Sequence, residues 1–125
     1  MIQESVPRCS WPEGDEVYLK YHDEEWGVPL YQDGELFEKL ILDGAQAGLS
    51  WITILKRQAN YHRAYDQFDP VKMANWSEAK IETLLNDSGI IRNRLKILAA
   101  KKNARAYLDL IEEKGKFSEF IWSFV

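Results

Sequence analysis

The sequence predicts an all-α protein, and three observations carry that prediction. After residue 33, apolar positions recur at three- and four-residue steps almost without a break. Helix punctuation falls where it should, with Ser50, Asp69 and Ser77 before apolar runs and Gly48, Gly89 and Gly115 after them. No Asn-Gly or Asp-Gly pair joins two alternating runs, because Asp33-Gly34 and Asp43-Gly44 both lie in helical context.

Residues 1–32 read as an irregular N-terminal arm, since Pro7, Pro12, Gly14, Gly27 and Pro29 interrupt any long element. Residues 33–125 read as a helical core. Asp33 or Gly34 caps a first helix with Leu36, Phe37, Leu40, Ile41 and Ala47 facing inward, and Gly48 ends it from a left-handed conformation. Ser50 caps a second helix starting at Trp51, with Ile52, Leu55, Ala59 and Tyr65 on its buried side. Asp69-Pro70 supplies a cap and a first-turn proline for a short helix. Ser77 caps another, closed by Gly89, with Ile81, Leu84 and Leu85 inward. A longer helix covers 92–114, with Ile97, Ala104, Leu108 and Ile111 in register and Gly115 at its end. Ser118 starts the last segment, EFIWSFV. That segment stops inside an apolar run with no cap, so the expectation is that another chain covers it or that the sequence is C-terminally truncated.

A chain of 125 residues suits one domain, and 46% hydrophobic with 29% charged residues excludes wholesale disorder. The lone Cys9 excludes an intramolecular disulfide and fits a reducing compartment. No apolar run approaches the roughly 18 residues of a spanning helix, and the N-terminus lacks a signal-peptide core. The expectation is a cytoplasmic protein without membrane contact. The net charge of −4 argues against nucleic acid, but its distribution is uneven. Residues 1–50 carry 11 acids against 3 Lys/Arg, whereas residues 88–108 hold Arg92, Arg94, Lys96, Lys101, Lys102 and Arg105 with no acid. That stretch suits phosphates, or equally a solvated helix face.

Trp11, Tyr18, Tyr21 and Trp26 crowd the arm, where they make either a platform for a planar ligand or a plug at the core edge. Asp43 lies at the border of a helix's buried face, as a surface carboxylate or as a pocket wall that a cationic ligand would keep ionised. Small residues at 44, 45, 47 and 48 permit close approach, and a tight turn at Gly48–Ser50 brings Trp51 back toward the preceding helix. Cys9 and His22 are the best metal-ligand types in the arm, but a zinc site wants three or four donors. On their own, a solvated histidine and an idle thiol account for them as well. His62 has no Cys or His one turn away.

Several segments together resemble the DNA-3-methyladenine glycosylase I family: RCSW at 8–11, YHDEEWGVP at 21–29, LDGAQAGLSWITILK at 42–56, FDP at 68–70, GIIRNRLKI at 89–97 and NARAY at 103–107. The resemblance runs from Arg8 to Val125 and implies a helical DNA-glycosylase fold of the helix-hairpin-helix superfamily. It implies a monofunctional hydrolase of base-excision repair that acts on 3-methyladenine in alkylated double-stranded DNA, with no obligate protein partner. Trp11, Tyr18, Tyr21 and Trp51 match aromatics around the extruded base. Asp43 stands where the family commonly has a base-contacting Glu, one methylene longer, and is the expected catalytic carboxylate. Cys9 and His22 match the first two of four ligands to a structural zinc, so the arm would hold half of a zinc site. Arg92, Arg94 and Lys96 are the expected phosphate contacts. The family continues past WSFV, which implies that the sequence covers roughly the N-terminal two-thirds of a complete enzyme. The alternative is a non-catalytic helical fragment that binds DNA or a partner through 88–108 and the C-terminal segment.

Overall fold

The computed structural model describes Pro7 and residues 9–125. Among the described residues there are eight α-helices and no strand, as the periodicity predicts. They are α1 (Glu16–Glu24), α2 (Asp33–Gln46), α3 (Trp51–Leu55), α4 (Gln58–Ala64), α5 (Pro70–Ala74), α6 (Glu78–Leu85), α7 (Arg94–Lys114) and α8 (Phe117–Trp122), with a 3-10 turn at Asp66–Phe68. The long helix α7 is the spine. It packs on α5, α2, α6 and α8, and its Ile97, Ala100 and Ala104 lie against Phe37, Ile41, Met73 and Ile81 in one continuous core. Full burial of each large apolar side chain contributes about 1.5–3 kcal/mol, and Phe37, Ile54, Met73 and Ile97 are wholly buried.

The caps at Asp69 and Ser77 follow the sequence, and Asn93 caps a helix whose expected start is residue 92. Asp69 accepts from the N–H groups of Val71 and Lys72, Ser77 from Lys80 and Asn93 from Lys96. Other punctuation differs from the sequence expectation. The arm is not irregular throughout, because Asp15 accepts from the N–H of Tyr18 at 3.1 Å and starts α1. Asp33 is not the cap of α2. It lies in the first turn, after Gln32, and its carboxylate instead accepts the N–H groups of Phe117 (3.1 Å) and Ser118 (2.8 Å) at the start of α8. The single helix expected from Trp51 to Tyr65 is two, α3 and α4, with the break at Lys56 and Arg57. Ser50 does stand at the N-terminus of α3, but its hydroxyl pairs with that of Thr53 at 2.8 Å rather than with a backbone N–H.

Gly89 does not close α6 with a left-handed residue. The helix ends at Leu85, and a Cβ on Gly89 would sit 3.0 Å from Cγ of Asn60, so this glycine is where the chain passes α4. The uncapped C-terminal run is docked only in part. Phe117 is buried, Trp122 stacks on Tyr31 with centroids 5.0 Å apart, and its indole N–H donates to the carbonyl of Leu30 at 2.6 Å. Ile121, Phe124 and Val125 remain exposed. No helix among the described residues is long and apolar enough to cross a membrane.

Candidate functional site

The link between α2 and α3 builds the site. Ala47 (φ −46°, ψ 120°) and Gly48 (φ +81°) form a type II turn, closed by the N–H of Leu49 donating to the carbonyl of Gln46 at 2.6 Å. The positive φ at Gly48 is what this turn needs and what a side chain would resist. The ammonium of Lys96 holds the turn from the other side, donating to the carbonyls of Ala45 (2.9 Å) and Ala47 (2.5 Å). A cation at a helix C-terminus also meets the negative end of the helix dipole. The turn delivers Trp51, first residue of α3, beside α1 and the last half of α2.

Around Trp51 the aromatic residues singled out in the sequence meet. Tyr21 lies 5.7 Å from Trp51, centroid to centroid, and Trp11 lies 4.8 Å from Tyr18, 6.4 Å from Tyr21 and 5.8 Å from Trp26. Tyr18 and Tyr21 come from one face of α1, so the cluster is partly a helical stripe and not a loop platform alone. Trp11, Tyr18, Tyr21, Trp26 and Trp51, with Lys39 and Gln46, enclose a cavity of about 290 Å³. A larger cavity of about 550 Å³ adjoins it through Tyr21, Trp26, Lys39 and Trp51 and extends past Glu24, Glu25, Glu35 and Glu38.

Asp43 is tied to this cluster indirectly. Its carboxylate accepts from the Lys39 ammonium at 2.7 Å, one helical turn back, and that ammonium sits 4.2 Å from the centre of the Trp51 ring. The Asp43 side chain is about half exposed (49%), and its carboxylate lines neither cavity. Tyr21 is the one buried residue of α1, and burial pushes its phenol up; the Lys39 ammonium opposes that shift and the Asp43 carboxylate adds to it. The indole N–H of Trp51 is buried without a hydrogen-bond partner.

Trp26, one of the four aromatics that the sequence reading groups, lines the cavity with them. Lys39 has no counterpart in that reading, and its spacing of four from Asp43 is the signal that points to it.

The expected metal and phosphate residues fare differently. Cys9 is exposed, and the His22 ring packs on Trp11 at 5.1 Å while its Nδ1 pairs with the carboxylate of Asp23 at 3.0 Å. Among the described residues no group of three or more His, Cys, Asp or Glu side chains converges as a metal site. Two donors do not complete a four-coordinate zinc. Arg94 is paired with Glu82, and Lys96 is committed to the α2 carbonyls. Arg92 is exposed and makes no ion pair or hydrogen bond among the described residues. His62 is engaged, since its Nε2 meets the Glu38 carboxylate at 2.8 Å and Gln58 donates to the same group at 2.9 Å.

The arrangement is that of an all-helical protein with an aromatic-lined cavity and the Asp43 carboxylate one lysine away from it. The chain belongs to the Methyladenine glycosylase family, whose profile matches residues 11–125. DNA-3-methyladenine glycosylase 1 of Escherichia coli (strain K12) is 52% identical over 120 residues, which cover 96% of this chain and 64% of that protein. A crystal structure of 3-methyladenine DNA glycosylase I superposes with a TM-score of 0.91 at 48% identity, over 94% of this chain and 65% of that one. A tyrosine-to-phenylalanine variant of 3-methyladenine DNA glycosylase I in complex with 3-methyladenine gives a TM-score of 0.90 at 39% identity, over 95% and 64%. The fold is that of these helical glycosylases, and the chain spans 64% of the length of the curated relatives it matches.

Proposed function

We propose that the aromatic cavity is the base-recognition site of a DNA-3-methyladenine glycosylase, an enzyme that hydrolyses the N-glycosidic bond of 3-methyladenine in alkylated double-stranded DNA. One observation carries the reading: Trp11, Tyr18, Tyr21, Trp26 and Trp51 surround one cavity, and the Asp43 carboxylate is one lysine away from it. 3-Methyladenine is cationic while bonded to the sugar, so its glycosidic bond is already weak and the protein has chiefly to extrude and recognise the lesion. Aromatic faces favour the cationic purine over neutral adenine by about 0.5–2 kcal/mol per contact. Asp43 is the acceptor for the exocyclic amine, a charge-assisted bond. In the reaction a water oxygen bonds to C1′ as the bond from C1′ to the base breaks. The bond's electron pair neutralises the base, and the water's surplus proton leaves to solvent.

The DNA backbone falls to the basic stretch, where Arg92 is the best placed of the three expected contacts because Lys96 and Arg94 already serve the fold. Cys9 and His22 remain the proposed zinc half-site. With two donors, the purified 125-residue chain is expected to retain well under one equivalent of zinc by elemental analysis, and a full equivalent would show that other donors complete the site.

The test is titration of the chain with free 3-methyladenine. Saturable binding is expected, weakened by about 1–3 kcal/mol in Trp51→Ala, which removes a stacking face. In Asp43→Asn a charged acceptor becomes neutral, and the loss is about 1 kcal/mol with folding unchanged. Base release from methylated DNA then separates a catalytic chain from a non-catalytic DNA- or partner-binding one. Binding that neither substitution alters would refute the assignment of these residues.

A further inference from the structure

Lys39 stands between the aromatic cavity and the Asp43 carboxylate. It projects from the exposed side of α2 and lines both cavities, and its side chain is 41% exposed. Its ammonium touches two groups, the face of Trp51 at 4.2 Å and the carboxylate of Asp43 at 2.7 Å. Those are the two contacts a cationic aromatic base would make here, a ring face for its charge and a carboxylate for its amine. A base stacked on Trp51 would lie about 3.5–4 Å from the ring, in the space the ammonium fills. The two cannot be present together.

We infer that Lys39 is an internal occupant of the base site, an ammonium that stands in for the cationic base and must be displaced before one binds. The inference rests on the base-recognition reading above. It gives the site a threshold: an entering ring has to better an ion pair and a cation–π contact already in place. It also accounts for Asp43 lining neither cavity, since Lys39 lies between the carboxylate and the space. Both interactions are exposed and individually small, so the occupant is displaceable and does not seal the site.

The experiment compares wild type, Lys39→Ala, Lys39→Arg and Trp51→Ala by calorimetric titration with free 3-methyladenine, the neutral product base, which has to displace the ammonium from the same ring face. Alanine is a strong helix former, so loss of α2 is not expected. Lys39→Ala should bind about fivefold tighter than wild type, the combined worth of one exposed ion pair and one cation–π contact. Lys39→Arg should bind no tighter than wild type, because a planar guanidinium covers the ring and pairs with the carboxylate at least as well. If Trp51→Ala weakens binding while Lys39→Ala leaves it unchanged or weaker, the occupant role is overturned and the base site stands. If 3-methyladenine binds neither wild type nor Lys39→Ala, the base-site reading and this inference fall together.

Discussion

At the scale of single residues, the segment between α6 and α7 shows how one side chain can matter through what it lets near. The carbonyl of Gly89 accepts from the side-chain amide of Asn60 at 3.1 Å, and two residues on, the N–H of Ile91 donates to the hydroxyl of the wholly buried Tyr61 at 3.1 Å. Burial pushes the Tyr61 phenol up, so it stays protonated well into alkaline solution, and the Ile91 bond only tempers that shift. A methyl group at 89 would have to push Asn60 aside, and overpacking of that kind costs about 1–3 kcal/mol. Gly89→Ala is therefore expected to lower the unfolding free energy from urea titration by that much. Tyr61→Phe leaves a half-buried N–H without its acceptor and is expected to cost a similar 1–3 kcal/mol. In the sequence Gly89 looks like any helix-ending glycine. Its actual reason, the nearness of a side chain 29 positions away, leaves no local trace.

At the scale of elements, the same limit explains which caps were legible. Asp69 and Ser77 act on the N–H groups just after them, and such short-range bonds are what punctuation in a sequence encodes. Asp33 has the same chemistry but spends it on α8, 84 positions away, and nothing near residue 33 announces that. Burial works to raise its carboxyl, yet the N–H groups of Ser118 and Phe117 outweigh this and hold it below the ordinary value. A carboxyl depressed in the folded state contributes stability above its unfolded pKa of about 3.9, and that contribution vanishes as pH falls through the folded value. Asp33→Ala is expected to cost about 0.5–2 kcal/mol at pH 7, with Asp33→Asn costing less. The gap between wild type and Asp33→Ala should close as the solution is taken below about pH 4. A gap that persists or widens there would mean the carboxylate is not the cap. The candidate site divides the same way. Trp11, Tyr18, Tyr21 and Trp51 were legible from aromatic residues in a short arm and a tight turn. Lys39 was not, because its role depends on Trp51 coming back over α2.

At the scale of the whole molecule, the site spans the best and the least anchored parts of the fold. Helix α7 joins α2, α5, α6 and α8 into one core, so its amides open only with the molecule as a whole. Helix α1 packs chiefly on α3, buries Tyr21 alone, and is tied down by the pair between Asp15 and Lys56 at 2.7 Å. That pair is exposed and its worth is small. Half of the aromatic wall, Tyr18 and Tyr21 with Trp11 against them, therefore rides on an element with few buried contacts, while Trp51 is fixed to the core through α3. Native-state hydrogen exchange is expected to show α1 amides opening at a clearly lower free energy than those of α7. A flat ligand held between Tyr21 and Trp51 would bridge the two parts, and its binding energy would then oppose the opening of α1. Saturating 3-methyladenine should slow exchange in α1 by the factor 1 + [L]/Kd, about a hundredfold at 100 times Kd, and slow α7 by the same factor, because the global unfolding that exposes α7 also releases the ligand. Slowing in α7 without slowing in α1 would place the ligand on the core alone and remove Tyr18 and Tyr21 from the site.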